Sequence, residues 1–254
     1  MGDSTGEGLP AEIPGVRWVK APGASVFDLR AQATGLARGQ IIAWTEDHCR
    51  PAADWCERIL AAHAAHPEAL AVGGAVTNGS TGHLMDWANF LTTFGPFLPP
   101  LDKAKIGRVP PAANISFKRN AVPAGTIESG GIELRVERRL WSMGSIVLDD
   151  RIQVTHIQSH GITGTPKSHF HNGRSTSGLV VGHLSIRQRL KRFLICLVLP
   201  AEILRTVIVP VAGKREVPLW RCLPLIAVLA FSHALGEMAG IVLNGPGLSP
   251  QRLE

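Results

Sequence analysis

Ile41-Ile42-Ala43-Trp44-Thr45-Glu46-Asp47-His48-Cys49-Arg50-Pro51 is the stretch on which the reading of this chain turns. Two apolar residues lead into an aromatic one, and an acidic pair and a histidine follow just before a proline. That pattern reads as a buried strand, Gln40 to Thr45, which ends by holding carboxylates out at its tip. Hard cations such as Mg²⁺ or Mn²⁺ take carboxylate oxygens. In phosphate chemistry they use one or two protein carboxylates while the substrate's phosphates fill other positions. A solvated acidic turn fits the same residues.

The pattern extends on both sides. Val16 to Val19 reads as a short strand, and Ser25 to Ala37 as a helix with Ser25 and Asp28 in a capping arrangement. Pro51 to His66 reads as a second, amphipathic helix with Trp55, Ile59, Leu60 and Ala64 at helical spacing. Ala69 to Val76 and Ala112 to Phe117 read as strands, Gly131 to Gly144 as a helix, and Val147 to His156 as an edge strand. Between Met85 and Pro100 lies an aromatic, proline-broken stretch with Trp87, Phe90, Phe94 and Phe97, suited to packing on a sheet or to lining an acceptor pocket. Strands alternating with helices make an α/β sheet, and ligands of such sheets gather beyond the carboxyl ends of the strands, where Glu46 and Asp47 fall.

Composition narrows the partners. The 254 residues are 45% hydrophobic and 18% charged, an apolar excess that should be localised. The net charge is +6, but the basic residues are scattered except for Arg187, Arg189, Lys191 and Arg192, which run directly into an apolar segment. An anionic membrane surface therefore suits them better than nucleic acid. Cysteines 49, 56, 196 and 222 form neither a CxxC pair nor a zinc spacing, so reduced thiols and a catalytic face toward the cytoplasm are expected.

Several of these pieces, in their order, resemble the family 2 glycosyltransferases. Asp3-Ser4-Thr5 looks like that family's acidic turn after its second strand. Arg30, Ala37 and Gly39 match an arginine, alanine and glycine of its Arg-Asn-x-Gly-x-x-x-Ala-x-Gly stretch, from which Ala31 and Ala33 depart. Thr45-Glu46-Asp47 stands at its metal-binding acidic motif, with Pro51 and Trp55 following. Glu133, six residues before Arg139-Leu140 and followed by Gly144, resembles its Glu-Asp-x-x-x-x-x-Arg-Leu-x-x-x-Gly helix, with Ile132 replacing the preceding acid. The resemblance covers roughly residues 2 to 160. It implies a GT-A-like, Rossmann-like mixed sheet flanked by helices, lacking the family's first strand and its nucleotide-base turn.

The implied activity is transfer of a sugar from a nucleotide-diphosphate donor to a lipid-linked or polysaccharide acceptor, inverting and dependent on Mg²⁺ or Mn²⁺. In that reading Asp47, Glu46 and His156 hold the metal, Glu133 is the base, and Asp3, Arg30, Glu46 and Arg174 meet the nucleotide sugar. The contrasting reading is a degenerate, non-catalytic relative serving as a membrane-bound binding or scaffold module. By composition, residues 161–192 read as a flexible loop and basic linker after the 1–160 domain. Residues 193–244 read as hydrophobic membrane-associated helices and 245–254 as a tail. Phe193 to Val211 and Leu219 to Leu243 each approach the ~20 residues that cross a bilayer. Full crossing would nevertheless strand Lys214 and Arg215 on the far side, against the positive-inside tendency, and a shallow hairpin would remove that conflict.

Overall fold

The computed structural model describes residues 2–3, 14–24, 26–102, 109–122, 132–143, 146–158, 160–182 and 184–243. Its centre is a five-stranded mixed sheet in the order β3-β6-β5-β7-β4, from β3 (Ile41–Trp44), β4 (Cys49–Pro51), β5 (Ala71–Asn78), β6 (Ile115–Lys118) and β7 (Ile146–His156). The pair β1 (Gly2–Asp3) and β2 (Val19–Lys20) is separate and parallel, so Asp3 lies in a strand rather than a turn. Strand β6 runs antiparallel to both β3 and β5, and β5 runs parallel to β7. Strands β3, β5 and β7 therefore point the same way, and their carboxyl ends share one rim of the sheet.

The short link from β3 to β4 sets the shape of that rim. Trp44 and Cys49 sit on strands at opposite edges of the sheet, four spacings or about 19 Å apart if the sheet were flat. Five residue steps of extended chain reach at most about 18 Å. The link is shortened further by a turn in which the Cys49 N–H donates to the Glu46 carbonyl at 3.0 Å. The sheet therefore curls until its two edges face each other across residues 45–48.

Strand β5 is buried almost throughout, as its apolar run Ala71-Val72-Gly73-Gly74-Ala75-Val76 requires. Its register with β7 jumps from Gly74↔Asp149 to Ala75↔Gln153. Asn114 fills this irregularity: its amide donates to the carbonyls of Ala75 (2.8 Å) and Ile152 (3.0 Å), and its oxygen accepts from Trp55 Nε1 at 2.9 Å. A Cβ on Gly74 would overlap the Ile152 carbonyl and the Asn114 amide, so only glycine admits this arrangement.

Helices cover both faces. Helix α1 (Val26–Leu36) and helix α4 (Ile132–Met143) pack Ala31, Val136 and Leu140 against Ile42, Trp44 and Phe117, and the Trp44 and Phe117 rings meet edge to face at 4.7 Å. Helix α2 (Trp55–Ala65) packs Ile59 and Ala62 against Val72 and Ile152. Its buried face is Ile59, Ala62 and His63, so Leu60 and Ala64, expected to face the core, are exposed. The aromatic stretch becomes helix α3 (Leu84–Phe94) and a tight turn at Gly95–Phe97, and it packs in one cluster with Val76, Leu148 and the C-terminal helices.

Other expectations are corrected by the structure or fall outside the described residues. Pro51, expected to open the second helix, instead ends the edge strand β4, which pairs with Val154–His156 and moves β7, expected at the edge, inside the sheet; the helix begins at Trp55. Ser25, expected as a helix cap, lies outside the described residues. The flexible loop expected over 161–192 is helix α5 (Gly161–Val181) followed by the start of helix α6 (Ile186–Val211), itself antiparallel to helix α7 (Leu219–Leu243). The small polar residues that made 161–178 read as a loop are what let two backbones touch. A Cβ on Gly173 would overlap the His233 carbonyl, and one on Gly236 would overlap the Phe170 carbonyl. Thr165 and Thr176 satisfy their hydroxyls on the carbonyls of Gly161 (2.7 Å) and Asn172 (2.9 Å), four residues back in the same helix.

Candidate metal centre

The turn after β3 and the end of β7 meet at the curled rim. Glu46 sits at the focus: Arg30 Nη2 on α1 donates to its Oε1 at 2.7 Å, and His48 Nε2 lies 3.2 Å from its Oε2. Asp47 turns outward, 89% exposed, and its Oδ1 accepts both the backbone N–H of His48 (2.9 Å) and His48 Nδ1 (2.8 Å). One nitrogen of the imidazole is thus fixed by a carboxylate and the other is aimed inward, the arrangement that orients metal-binding histidines. His156 closes β7 opposite Cys49 in the strand register. Its Nε2 stands 3.9 Å from Glu46 Oε2, and its ring lies between His48 (centroids 4.6 Å) and Phe94 (4.4 Å).

Charge follows from these contacts. The hydrogen bonds to Asp47 and then Glu46 hold His48 up to about 9 against the cost of its burial, so it is cationic near neutrality. Burial pushes the Glu46 carboxyl up, but the His48 hydrogen bond and the Arg30 charge outweigh it, and the net shift is downward. Asp47 is held low first by its His48 hydrogen bond. His156 is driven down to about 4 by burial and then by the His48 charge, so it is a neutral imidazole. Burial, followed by the Glu46 charge, pushes the Cys49 thiol up to about 12.

One donor atom from each of Glu46, His48, Cys49 and His156 lies within 4.8 Å of the others. Donors at about 2.0–2.3 Å around a tetrahedral ion stand roughly 3.3–3.8 Å apart, so a small closing movement would complete a coordination shell. The gap between Glu46 and His156 is too long for a hydrogen bond and suits a shared cation. A set of one carboxylate, two imidazoles and a thiol fits a borderline divalent ion better than Mg²⁺, which demands an octahedron of oxygens. Binding would displace the inward proton of His48, the proton that now holds the place of positive charge in the cluster.

Of the residues chosen from the sequence, Glu46 and His156 converge here, and Asp47 and Arg30 support them from either side. Arg174 lies on α5, where its backbone meets Gly236 and Gly240 of α7. Glu133 falls in α4 and Asp3 in β1, and both side chains lie outside the described residues. His48 and Cys49 were not selected, although Glu-Asp-His-Cys places four donors in four residues. Phe94, expected only as one of several packing or acceptor-pocket rings, lies against His156, and Asn114 carries no local signal. A cavity of 460 Å³ opens beside Gln40 and Ile41, at the amino end of β3 and away from the cluster. Its cations are already engaged, Arg119 on the Ala37 and Gly39 carbonyls and Lys118 on that of Pro67. Comparison with known proteins returns no matching family and no matching characterised protein.

Proposed function

We propose that this chain is a membrane-associated, divalent-cation-dependent glycosyltransferase of the GT-A type, transferring sugar from a nucleotide-diphosphate donor to a lipid-linked or glycan acceptor. The observation that carries the reading is the approach of the Glu46-Asp47-His48 turn to His156, residues far apart in the chain and gathered at the carboxyl ends of two parallel strands. A cation held there would offset the charge of the departing diphosphate. Glu46 and His156 would hold it, Asp47 would orient His48, and Arg30 would keep the Glu46 carboxylate aimed and ionised. Glu133, on the helix packed against α1, is the base of this reading, taking the proton of the acceptor hydroxyl.

Calorimetry on the purified chain tests it, with Mn²⁺, Zn²⁺ or Mg²⁺ titrated first and uridine- and guanosine-diphosphate sugars second. Nucleotide-sugar binding that needs the cation is expected, with Glu46→Gln and His156→Ala each weakening cation affinity on the order of 100-fold. Tight cation binding with no affinity for any nucleotide sugar would replace the transferase with a non-catalytic binding module.

A further inference from the structure

Helices α6 and α7 are each long and apolar enough to cross a membrane, yet their packing is uneven along their length. At the loop end, Val207, Val211, Leu219, Cys222 and Ile226 are buried in one cluster with Val76, Phe90 and Phe97 of the α/β unit. Lys214, in the loop itself, donates to the carbonyls of Leu98 and Pro100, the segment that follows α3. At the open end, Arg192 pairs with Glu237 at 3.2 Å, and Ser177 of α5, the helix continuing from β7, donates to the same carboxylate at 2.7 Å. Both ends of the hairpin are therefore fastened to the same body. A hairpin that left this body and crossed ~30 Å of hydrocarbon would carry its loop to the far side, out of reach of Leu98.

The outer face of the open end is apolar and bare. Leu194, Leu197 and Val198 on α6 and Phe231, Leu235 and Val242 on α7 are all more than half exposed. On α6 the stripe runs from Ile186 to Val198, about 18 Å at 1.5 Å per residue. It stops at Glu202 and Arg205, an exposed pair bonded at 2.6 Å. On α6 that is too short to cross a bilayer, and on α7 the exposed apolar residues run on through Val228 to Trp220, so the bare surface lies along the hairpin, as in a helix pair lying in the plane of one leaflet. Exposed Arg187 and Lys191 stand at the start of the α6 stripe, where lipid phosphates would lie.

We propose that the α6–α7 hairpin is a monotopic anchor: its open-end outer face sinks into one leaflet of an anionic membrane, and the loop at 212–218 stays on the same side as the candidate metal centre. This goes beyond the transferase reading and does not rest on it. It also removes the charge conflict that crossing creates for Lys214 and Arg215, because the loop never leaves the side of the body.

Two native features make the test direct. Cys56 is the exposed one of the four free cysteines and lies on α2 of the α/β unit, and a side chain at Gly213 meets nothing within 4 Å. In sealed native membrane vesicles of either orientation, a membrane-impermeant maleimide should label Cys56 and an introduced Gly213→Cys together or leave both untouched. Labelling of the two from opposite sides means the hairpin crosses, and overturns the proposal. Purified chain should also float with phosphatidylglycerol vesicles and at least tenfold less with phosphatidylcholine, and Leu197→Asp/Phe231→Asp should abolish flotation while keeping the wild-type circular dichroism. Unchanged flotation of that variant would mean the contact lies elsewhere. A chain that floats with neither vesicle and elutes as a dimer would assign the bare face to a second copy; each of these two results also overturns the proposal.

Discussion

Glu46 and Glu237 are both largely buried carboxylates, each with an arginine and a histidine beside it, and they differ in what is left over. Glu237 receives Ser177 Oγ at 2.7 Å, Arg192 at 3.2 Å and His233, four residues back on the same helix, at 3.4 Å. Arg192 Nε also donates to Ser177 Oγ at 3.2 Å, so the group closes on itself between helices whose glycines already touch. Glu46 has Arg30 and His48, but beyond them stand His156, at 3.9 Å too far for a hydrogen bond to its carboxylate, and the Cys49 sulfur, which hydrogen-bonds the Glu46 backbone and the Thr45 side chain rather than that carboxylate. The first arrangement is a clasp and the second has coordination to spare. A buried ion pair by itself says little about function; four donor atoms gathered within 4.8 Å of one another say more.

The largest effect that would sharpen this contrast is at the clasp. In Gly236→Leu the new Cβ would overlap the Phe170 carbonyl, and since that obstacle is backbone the α5–α7 contact must open. A loss of about 3 kcal/mol is expected from thermal or urea unfolding, with cation affinity of the folded fraction unchanged. A parallel fall in cation affinity would show that the two regions are one cooperative unit and break the comparison.

A smaller effect is expected from pH on the metal-free protein. His48, held up to about 9, binds its proton more tightly folded than unfolded, so its contribution is full below about 6.5 and lost as pH rises toward 9. His156, held down to about 4, resists protonation in the folded state, so stability is full above about 6.5 and lost as pH falls toward 4. The depressed carboxyls of Glu46 and Asp47 extend that loss to more acid pH. The unfolding free energy from urea titrations should therefore peak near pH 6.5 and lose on the order of 1–2 kcal/mol on each side. His48→Gln should flatten the alkaline limb and spare most of the acid one; a retained alkaline limb would place the responsible group elsewhere.

The smallest effect belongs to an ordinary surface pair. Asp54 and Arg58 meet at 2.7 Å one turn apart, each about two-fifths exposed. Asp54→Ala should cost roughly 0.3–0.5 kcal/mol, the range of exposed pairs four residues apart on a helix. A cost above 1 kcal/mol would mean that surface charge matters more here than the contrast between Glu46 and Glu237 allows.

Much of the chain is legible locally. The apolar run into Trp44, the alternation that makes 146–156 a strand, and the helical spacing around Ile59 and Leu140 are period signals carried by consecutive residues. Both long apolar helices announce themselves by hydropathy. Glu46 and Asp47 could be chosen because acids at the end of a buried strand stand out, and His156 because it closes another. What escaped has a common cause. Strand β4 is three residues whose ladder partner among the described residues lies about a hundred residues later. Helix α5 lacks an apolar stripe because it is held by backbone contact with α7, which needs glycine and serine rather than leucine.

By itself, then, the sequence determined the elements with strong periodicity, the apolar character of the C-terminal third and the position of the acidic tip, because each depends on the side chains of neighbouring residues. Tertiary structure decided the curl that brings β4 around to β7, the order of strands, and the meeting of Glu46, His48, Cys49 and His156. It also decided that the 212–218 loop folds back onto the segment after α3, through Lys214 on the carbonyls of Leu98 and Pro100. Those depend on distances between residues far apart in the chain, which four residues of connecting turn, one asparagine in a bulge and one lysine in a loop fix only once the whole sheet has closed.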